Sequence, residues 1–239
     1  MLDRGKMPPS NLVVEKLRQQ IDCLEETQSR FSRTIPVADA IDDWLPYGGL
    51  PAGCVHEVKG NNLASAIAFS AVLSSRLVAD RGYILYVAPD RFLYPLGLLP
   101  YGVKLDRLLH ISVRRSRDLA WAVMEALRCP QVSSVIAVLG GLDLTDSRRL
   151  QLAAETSGAT GFLLGSAGSA PISSAMTRWK ISSIVSKSGQ RFDQPLWGVD
   201  LLYCRGGRPG RWILEWRGQK LNSILTQLAQ QVSCEALAG

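Results

Sequence analysis

The chain of 239 residues is long enough to bury the core of one α/β domain with a small appendage, but not two full domains. Hydrophobic residues make up 46% and charged residues 20%, as in globular proteins, and the apolar runs are too short to cross a bilayer. The five cysteines form no CxxC pair, which argues against a zinc site or a disulfide framework. No secretory signal is recognisable, so the sequence predicts a cytoplasmic protein without a membrane segment.

A helix with one narrow apolar stripe is predicted within residues 11–30. Its apolar residues recur at spacings of three, four and three, and they are Val14, Leu17, Ile21 and Leu24. A stripe this narrow is typical of a helix that fits a partner's groove, so residues 1–32 are predicted to be a helical arm that binds a partner. The alternative is that the helix packs on its own domain.

From residue 54 onward, short apolar strands alternate with helices, after a turn-rich stretch at residues 33–53 that excludes a long regular element. Strands are predicted at Cys54–Val58, Tyr83–Ala88, Leu108–Val113, Val132–Leu139 and Gly161–Gly165, and helices at Ala64–Ala79, Arg117–Arg128 and Ser147–Thr156. This alternation predicts an α/β fold with a mostly parallel central sheet flanked by helices.

The pattern changes after residue 176, where the helices stop. Three β-rich runs, Met176–Ser186, Leu196–Arg205 and Arg211–Arg217, predict antiparallel strands that extend the sheet, so the core domain is expected to cover residues 33–218. Apolar residues then recur on one helical face, which predicts a closing helix at Lys220–Val232 within a C-terminal segment at residues 219–239.

The turn after the first core strand has the position of a phosphate-binding loop but lacks its side chains. The working pattern is GxxxxGK[ST], whereas residues 60–67 read GNNLASAI. Ser65 replaces the second glycine and Ala66 replaces the lysine that reaches the β- and γ-phosphates. Ile67 stands where a hydroxyl must hold magnesium. Only Gly60 of the pattern remains.

A carboxylate that holds magnesium is expected directly after an apolar strand, but Leu139 occupies that position and the next acid is Asp143. His56 and His110 lie inside predicted strands without a serine or cysteine motif, so they are interpreted as structural. The sequence therefore predicts a protein that is not an enzyme, with no catalytic residue, no cofactor and no metal.

The positive charge is concentrated between residues 178 and 220, which hold nine basic and three acidic residues. The candidate contacts for DNA or a partner in this stretch are Arg178, Lys180, Arg205, Arg208 and Arg211. A second candidate cluster is Arg114, Arg115 and Arg117. Four tryptophans accompany the first group, a mixture typical of phosphate neutralisation with base stacking, and weak, sequence-independent DNA binding is predicted. The alternative is a sheet with one solvated face.

The run IDDWLPYGGLPAGCVHEVKG at residues 41–60 resembles the beginning of the RecA recombinase core. Residues 83–109 are similar to the RecA stretch that holds its second strand and catalytic carboxylate, and this register places Asp90 at the catalytic glutamate. The strand that ends at Leu139 resembles RecA's magnesium-binding strand without its aspartate. The resemblance covers about residues 11–218 and implies a RecA-like core with degenerate Walker motifs.

A GGLP opening, a degenerate phosphate loop and an Arg- and Trp-rich terminal hairpin together resemble the ImuA family, grouped with SulA-like proteins. The resemblance implies a non-catalytic accessory role in the SOS response and mutagenic translesion DNA synthesis, at the nucleoid when engaged. It implies ImuB and an error-prone C-family DNA polymerase as partners, and RecA as a further one. The alternatives are a DNA-dependent ATPase with an unusual phosphate loop and a SulA-like inhibitor of cell division.

Overall fold

The computed structural model describes residues 33–78, 82–89, 93–139, 142–165, 171–172, 174–184, 195–217 and 220–224. The predicted helical arm, with its stripe of Val14, Leu17, Ile21 and Leu24, lies outside the described residues, and so does Asp90. Whether the arm binds a partner therefore stays a prediction.

The described strands form a short ladder and one large sheet. The ladder pairs β1 (Thr34–Ile35) with β2 (Leu50–Pro51). The sheet contains β3 (Val55–Gly60), β4 (Tyr83–Ala88), β5 (Leu108–Ser112), β6 (Val132–Val138), β7 (Thr160–Gly165), β8 (Thr177–Ile184), β9 (Leu196–Cys204), β10 (Gly210–Arg217) and β11 (Lys220–Ser223). Its strand order is β11-β10-β9-β8-β3-β7-β6-β4-β5.

Strands β3 to β8 are parallel to their neighbours within that group, whereas β9, β10 and β11 continue the sheet with antiparallel pairing. The helices are α1 (Asp39–Asp42), α2 (Leu63–Leu77), α3 (Ser116–Arg128) and α4 (Leu144–Ser157), with 3₁₀ turns at Pro95–Tyr101 and Leu105–Arg107. The predicted α/β fold with a mostly parallel sheet and an antiparallel extension is confirmed.

Alternate residues of the parallel strands enter two separate hydrophobic cores. On β4, Ile84 and Tyr86 pack in the core that contains α2, whereas Leu85 and Val87 pack in the core that contains α3 and α4. Because helices cover both faces of these strands, apolar residues occupy consecutive positions in the sequence.

Strand β8 is parallel to β3 but antiparallel to β9, and the antiparallel strands β8 to β11 bury only one face. Their tryptophans all point into the core that contains α2, and they are Trp179, Trp197, Trp212 and Trp216. Phe69 of α2 packs against the first two, with ring centroids 5.9 Å and 6.2 Å away. These tryptophans are core residues, so they offer no free ring for stacking on a ligand.

The chain after β10 differs from the prediction. Residues 220–223 form β11, so the prediction of a helix beginning at Lys220 is wrong for these residues. The physical reason is pairing with β10, which places Leu221 opposite Trp216 and buries its side chain. The sheet therefore continues beyond residue 218, and residues 225–239 lie outside the described part.

The turn-rich stretch before β3 contains only short elements, as predicted, and it is fastened to α2. The Arg33 guanidinium donates a hydrogen bond to the carbonyl of Leu77 at 3.0 Å, and Arg76 donates to the carbonyl of Val37 at 2.9 Å. Gly48 and Gly53 have φ angles of 66° and 71°, in the left-handed region that favours glycine, and each forms a turn in this stretch.

Candidate functional site

The turn between β3 and α2 is the position at which a parallel sheet of this kind binds a phosphate. Strand β3 ends at Gly60 and α2 begins at Leu63, so only Asn61 and Asn62 separate them. A side chain at Gly60 would place its Cβ 2.1 Å from the carbonyl oxygen of Asn62. The turn therefore needs glycine because it is tight, without any contribution from a ligand.

Side chains of the turn itself satisfy the first groups of α2. The Asn62 Oδ1 accepts a hydrogen bond from the Ser65 backbone N–H at 2.8 Å, and the Ser65 hydroxyl donates to the Asn62 carbonyl at 2.9 Å. Asn61 ties the turn to β8, because its N–H donates to the Ile181 carbonyl and its Oδ1 accepts from the Ser183 N–H. A phosphate at this place would have to displace these bonds.

The next two positions of α2 belong to the core. Ala66 is completely buried in the core that contains α2, and Ile67 is half-buried against it. A lysine at position 66 would therefore have to enter an apolar core before it could reach a ligand, which is costly for a charged group.

The strand end that would carry the magnesium-binding acid is also apolar. Leu139 is buried, and its N–H donates to the Leu164 carbonyl at 3.0 Å. The following acid, Asp143, caps α4 by accepting a hydrogen bond from the Asp146 N–H. The described residues thus bring Gly60, Ser65, Ala66, Ile67 and Leu139 to one end of the sheet, each in a structural role.

His56 is structural as well. Its ring is fully buried, with Nδ1 2.7 Å from the Thr177 hydroxyl and Nε2 2.9 Å from the Pro51 carbonyl. Burial lowers the pKa of His56 to about 4, although the hydrogen bond to Pro51 opposes the change. The histidine is therefore neutral near pH 7. Its partners hold the start of β3 against β8.

The structure shows a buried ion-pair network that sequence reasoning missed. Glu57 of β3 is fully buried, with Oε2 2.7 Å from the Arg178 guanidinium and Oε1 3.3 Å from the Lys59 ammonium. The Arg178 guanidinium also lies 5.4 Å from the Tyr203 ring centroid. Arg178 therefore joins β8 to β3. Glu57 is visible in the sequence, but its partner Arg178 lies 121 residues away and could not be recognised.

The three arginines around the β9–β10 turn make different contacts. Arg205 is half-buried and donates to the Ser174 carbonyl at 3.4 Å, and Arg208 stacks its guanidinium 3.8 Å from the centroid of the Trp44 ring. Trp44 returns a hydrogen bond to the Arg208 carbonyl at 3.2 Å. Arg205 and Arg208 thus fasten this turn to the rest of the domain, at the amino end of β8, far from Gly60.

Arg211 and Lys180 lie instead on the outer face of the antiparallel strands. The side chain of Arg211 is 79% exposed, and its Nε is 2.7 Å from the Asp200 carboxylate. Lys180 is exposed on β8, directly opposite Asp200 in the strand register. These two cations therefore share one row across three strands.

The second predicted cluster lies at the other edge of the sheet. Arg114 and Arg115 are exposed and follow β5, which is the edge strand opposite β11, on the order of 30 Å from Arg211. Arg117 is the second residue of α3, and its side chain lies outside the described part of the structure. The predicted basic residues therefore do not form one surface.

The described residues give no sign of two further kinds of site. None of the helices within these ranges is long and apolar enough to span a membrane. In the same part of the chain, no three His, Cys, Asp or Glu side chains are placed to hold a metal ion together.

No protein-family model matches the chain. Two curated relatives, each named Protein ImuA, come from two strains of Caulobacter vibrioides. Each is 35% identical to this chain over 226 residues, and the similarity covers 84% of the chain and 91% of the relative. Because it extends over almost the whole length of the relatives at this identity, the chain belongs to the ImuA family.

Proposed function

We propose that this protein is a non-catalytic accessory protein of the SOS DNA-damage response, which acts in mutagenic translesion synthesis by binding other macromolecules. Membership of the ImuA family supports the biological process. The observation that carries the proposed absence of catalysis is the closed turn at Gly60, where Asn62 and Ser65 satisfy the helix N-terminus.

Phosphoryl transfer depends on positioned charge, so the contents of this turn decide the chemistry. A nucleotide needs free backbone N–H groups, a lysine and a hydroxyl that holds magnesium. Here the Ser65 N–H is already bonded, Ala66 is buried and Ile67 packs against the core. These contacts support a RecA-like domain that keeps the sheet as a scaffold and does not bind ATP at the turn after Gly60.

The proposed partners are ImuB and an error-prone C-family DNA polymerase, with RecA and DNA as further candidates, in the cytoplasm at the nucleoid. The resemblance of the chain to the ImuA family supports these partners. The helical stripe at residues 11–30 is the proposed contact with a protein partner. Replacing Leu17 and Ile21 with Asp should abolish co-purification with ImuB while the domain still unfolds cooperatively, because one apolar stripe supplies the contact. Retained co-purification would contradict this role of the stripe.

The experiment that tests the function compares a strain lacking the gene with its parent after ultraviolet irradiation. We expect the frequency of damage-induced mutations to fall to that of unirradiated cells, and to recover when the wild-type chain is supplied. An unchanged mutation frequency would contradict the proposal. A change in cell filamentation without a change in mutagenesis would instead support the SulA-like alternative.

A further inference from the structure

Neither hydrophobic core covers the outer face of the antiparallel strands β8 to β11. This surface is called the open face, and it is formed by Lys180, Asp200, Arg211, Ile213, Glu215, Arg217 and Lys220. The same strands bury their other face through the four tryptophans. The open face is therefore a rigid surface, fixed from behind by the core.

All four cations of the open face are exposed, whereas its acids are half-buried. Lys180, Arg211, Arg217 and Lys220 are exposed, and Asp200 and Glu215 are recessed between them. Asp200 holds Arg211 through one guanidinium edge, with Nε–Oδ1 at 2.7 Å. The side chain of Arg211 remains 79% exposed, so its other N–H groups are directed to solvent. This arrangement positions a donor for an anion before the anion binds.

The cations lie in two rows, and Ile213 and Glu215 of β10 lie between them. Lys180 and Arg211 flank Asp200 in one cross-strand row, about 10 Å apart. Arg217 and Lys220 face each other at the other end of β10, about 20 Å from Arg211. Between the rows Gly198 pairs with Ile213 and Leu196 pairs with Glu215, and because all four residues are half-buried the surface there is shallow.

An aromatic ring adjoins the first row. The ring of Tyr203 contacts the Arg178 guanidinium, which fixes its position, and the residue is 38% exposed. Positive charge that follows a shallow surface, together with an exposed ring, is the combination that binds single-stranded nucleic acid through phosphates and stacking. Reading the bases of a duplex would need a helix or ribbon that enters its groove, whereas the bases of a single strand are free to stack on an exposed ring.

We propose that the open face binds single-stranded nucleic acid, with phosphates on Lys180, Arg211, Arg217 and Lys220 and a base on Tyr203. Its biological role rests on the proposed function, although the binding itself does not. The assignment differs from the basic hairpin turn predicted from the sequence, because Arg205 and Arg208 are engaged by Ser174 and Trp44. Of the three hairpin arginines, Arg211 alone lies on the open face.

The test measures fluorescence anisotropy of a labelled oligothymidylate of about 20 nucleotides, longer than the roughly 4–16 nucleotides of common single-strand sites, with the full chain and increasing salt. The test variant is Arg217→Glu/Lys220→Glu, and the matched control is Arg114→Glu/Arg115→Glu, which changes the net charge equally at the other edge of the sheet. We expect the test variant to lower affinity at least tenfold and to flatten the salt dependence by about 1.4 log units per tenfold salt, at about 0.7 per phosphate contact. The control should bind like the wild type.

Three results would overturn the proposal. One is absence of binding by the wild type at about 50 mM salt, where phosphate contacts are strong. Another is an equal loss in the control variant, which would assign binding to Arg114 and Arg115. The third is a wild-type dimer, seen by sedimentation, that the test variant dissociates without any oligonucleotide binding. If the charge reversal prevents cooperative unfolding, Arg217→Gln/Lys220→Gln provides the same comparison.

The proposed function is separated from this site by the mutagenesis assay. If gene deletion abolishes mutagenesis but the wild-type protein binds no oligonucleotide, the proposed site is wrong and the proposed function stands. If the test variant abolishes oligonucleotide binding but gene deletion leaves mutagenesis normal, the proposed site stands and the proposed function is wrong.

Discussion

The two halves of the sheet use their faces differently. The parallel strands β3, β4, β6 and β7 bury residues on both faces, and the carboxyl ends of β3 and β6 are closed by Asn62, Ser65 and Leu139. The antiparallel strands β8 to β11 bury tryptophans on one face and expose cations on the other. The comparison supports the proposal that this domain binds through the open face of the antiparallel half rather than at the strand ends.

The largest expected effect is the difference in stability loss between substitutions on the two faces of the antiparallel half. Trp179→Ala should lower the free energy of unfolding by about 4 kcal/mol, because Trp179 is fully buried against Phe69. Ile213→Ala on the open face should cost about 1 kcal/mol, since Ile213 is only half-buried. Urea unfolding of both variants measures the difference. Equal losses would show that the outer face is covered in solution.

The ion pairs between β3 and β8 and those on the open face should also differ in their contribution to the free energy of unfolding. Glu57→Gln should destabilise the protein by about 3 kcal/mol, because it removes the buried charge that compensates Arg178 and Lys59. The matched change Asp200→Asn affects a pair whose arginine is largely exposed, and should cost at most about 1 kcal/mol. Thermal or urea unfolding compares them. If Glu57→Gln lowered the free energy of unfolding no more than Asp200→Asn, the structural role of the network would be contradicted.

Acid should lower the stability of the domain through His56, which contacts Thr177 between β3 and β8. Its pKa is lowered to about 4 in the folded protein from 6.5, so the unfolded chain binds the proton more tightly. The stabilising contribution is complete above pH 6.5 and is lost as the pH falls toward 4, at up to about 1.4 kcal/mol per pH unit. His56→Gln should flatten this part of the stability profile measured by urea unfolding. An unaltered slope in the variant would show that His56 titrates normally.

The smallest effect concerns the closed turn. Asn62→Ala should cost about 1 kcal/mol, because it removes the acceptor for the Ser65 N–H at the start of α2. Asp143→Ala is the matched control at the start of α4, where the capping bond is of the same kind, and a similar loss is expected. If Asn62→Ala were neutral while Asp143→Ala was not, the turn would be open in solution.

Much of the fold could be predicted from the sequence because its signals are local. The apolar run at Val132–Leu139 and the strand at Tyr83–Ala88 were recognisable from their length and composition, and the structure places strands there. The sequence predicts a helix that begins at Lys220 because Leu221 and Ile224 have helical spacing. Pairing with Trp216 decided its conformation instead, and such a tertiary contact overrides a short periodic pattern.

The candidate site was predictable only in part. Ala66 and Ile67 revealed from their chemistry alone that the phosphate loop lacked its working side chains. The contacts of the arginines could not be read from the sequence, because Trp44 and Arg208 are 164 residues apart and meet only in the folded domain. Local charge density therefore identified the basic stretch, whereas the fold determined which of its members face solvent.

The most direct test of the central claim is a measurement of thermal stability and phosphate release with millimolar ATP and magnesium. We predict no rise in melting temperature and no turnover above contaminant level, because Ala66, Ile67 and Leu139 lie in the apolar core or against it. ATP bound with a dissociation constant one hundredth of its concentration would stabilise the fold by about 2.7 kcal/mol. A clear rise in melting temperature together with ATP turnover would contradict the account.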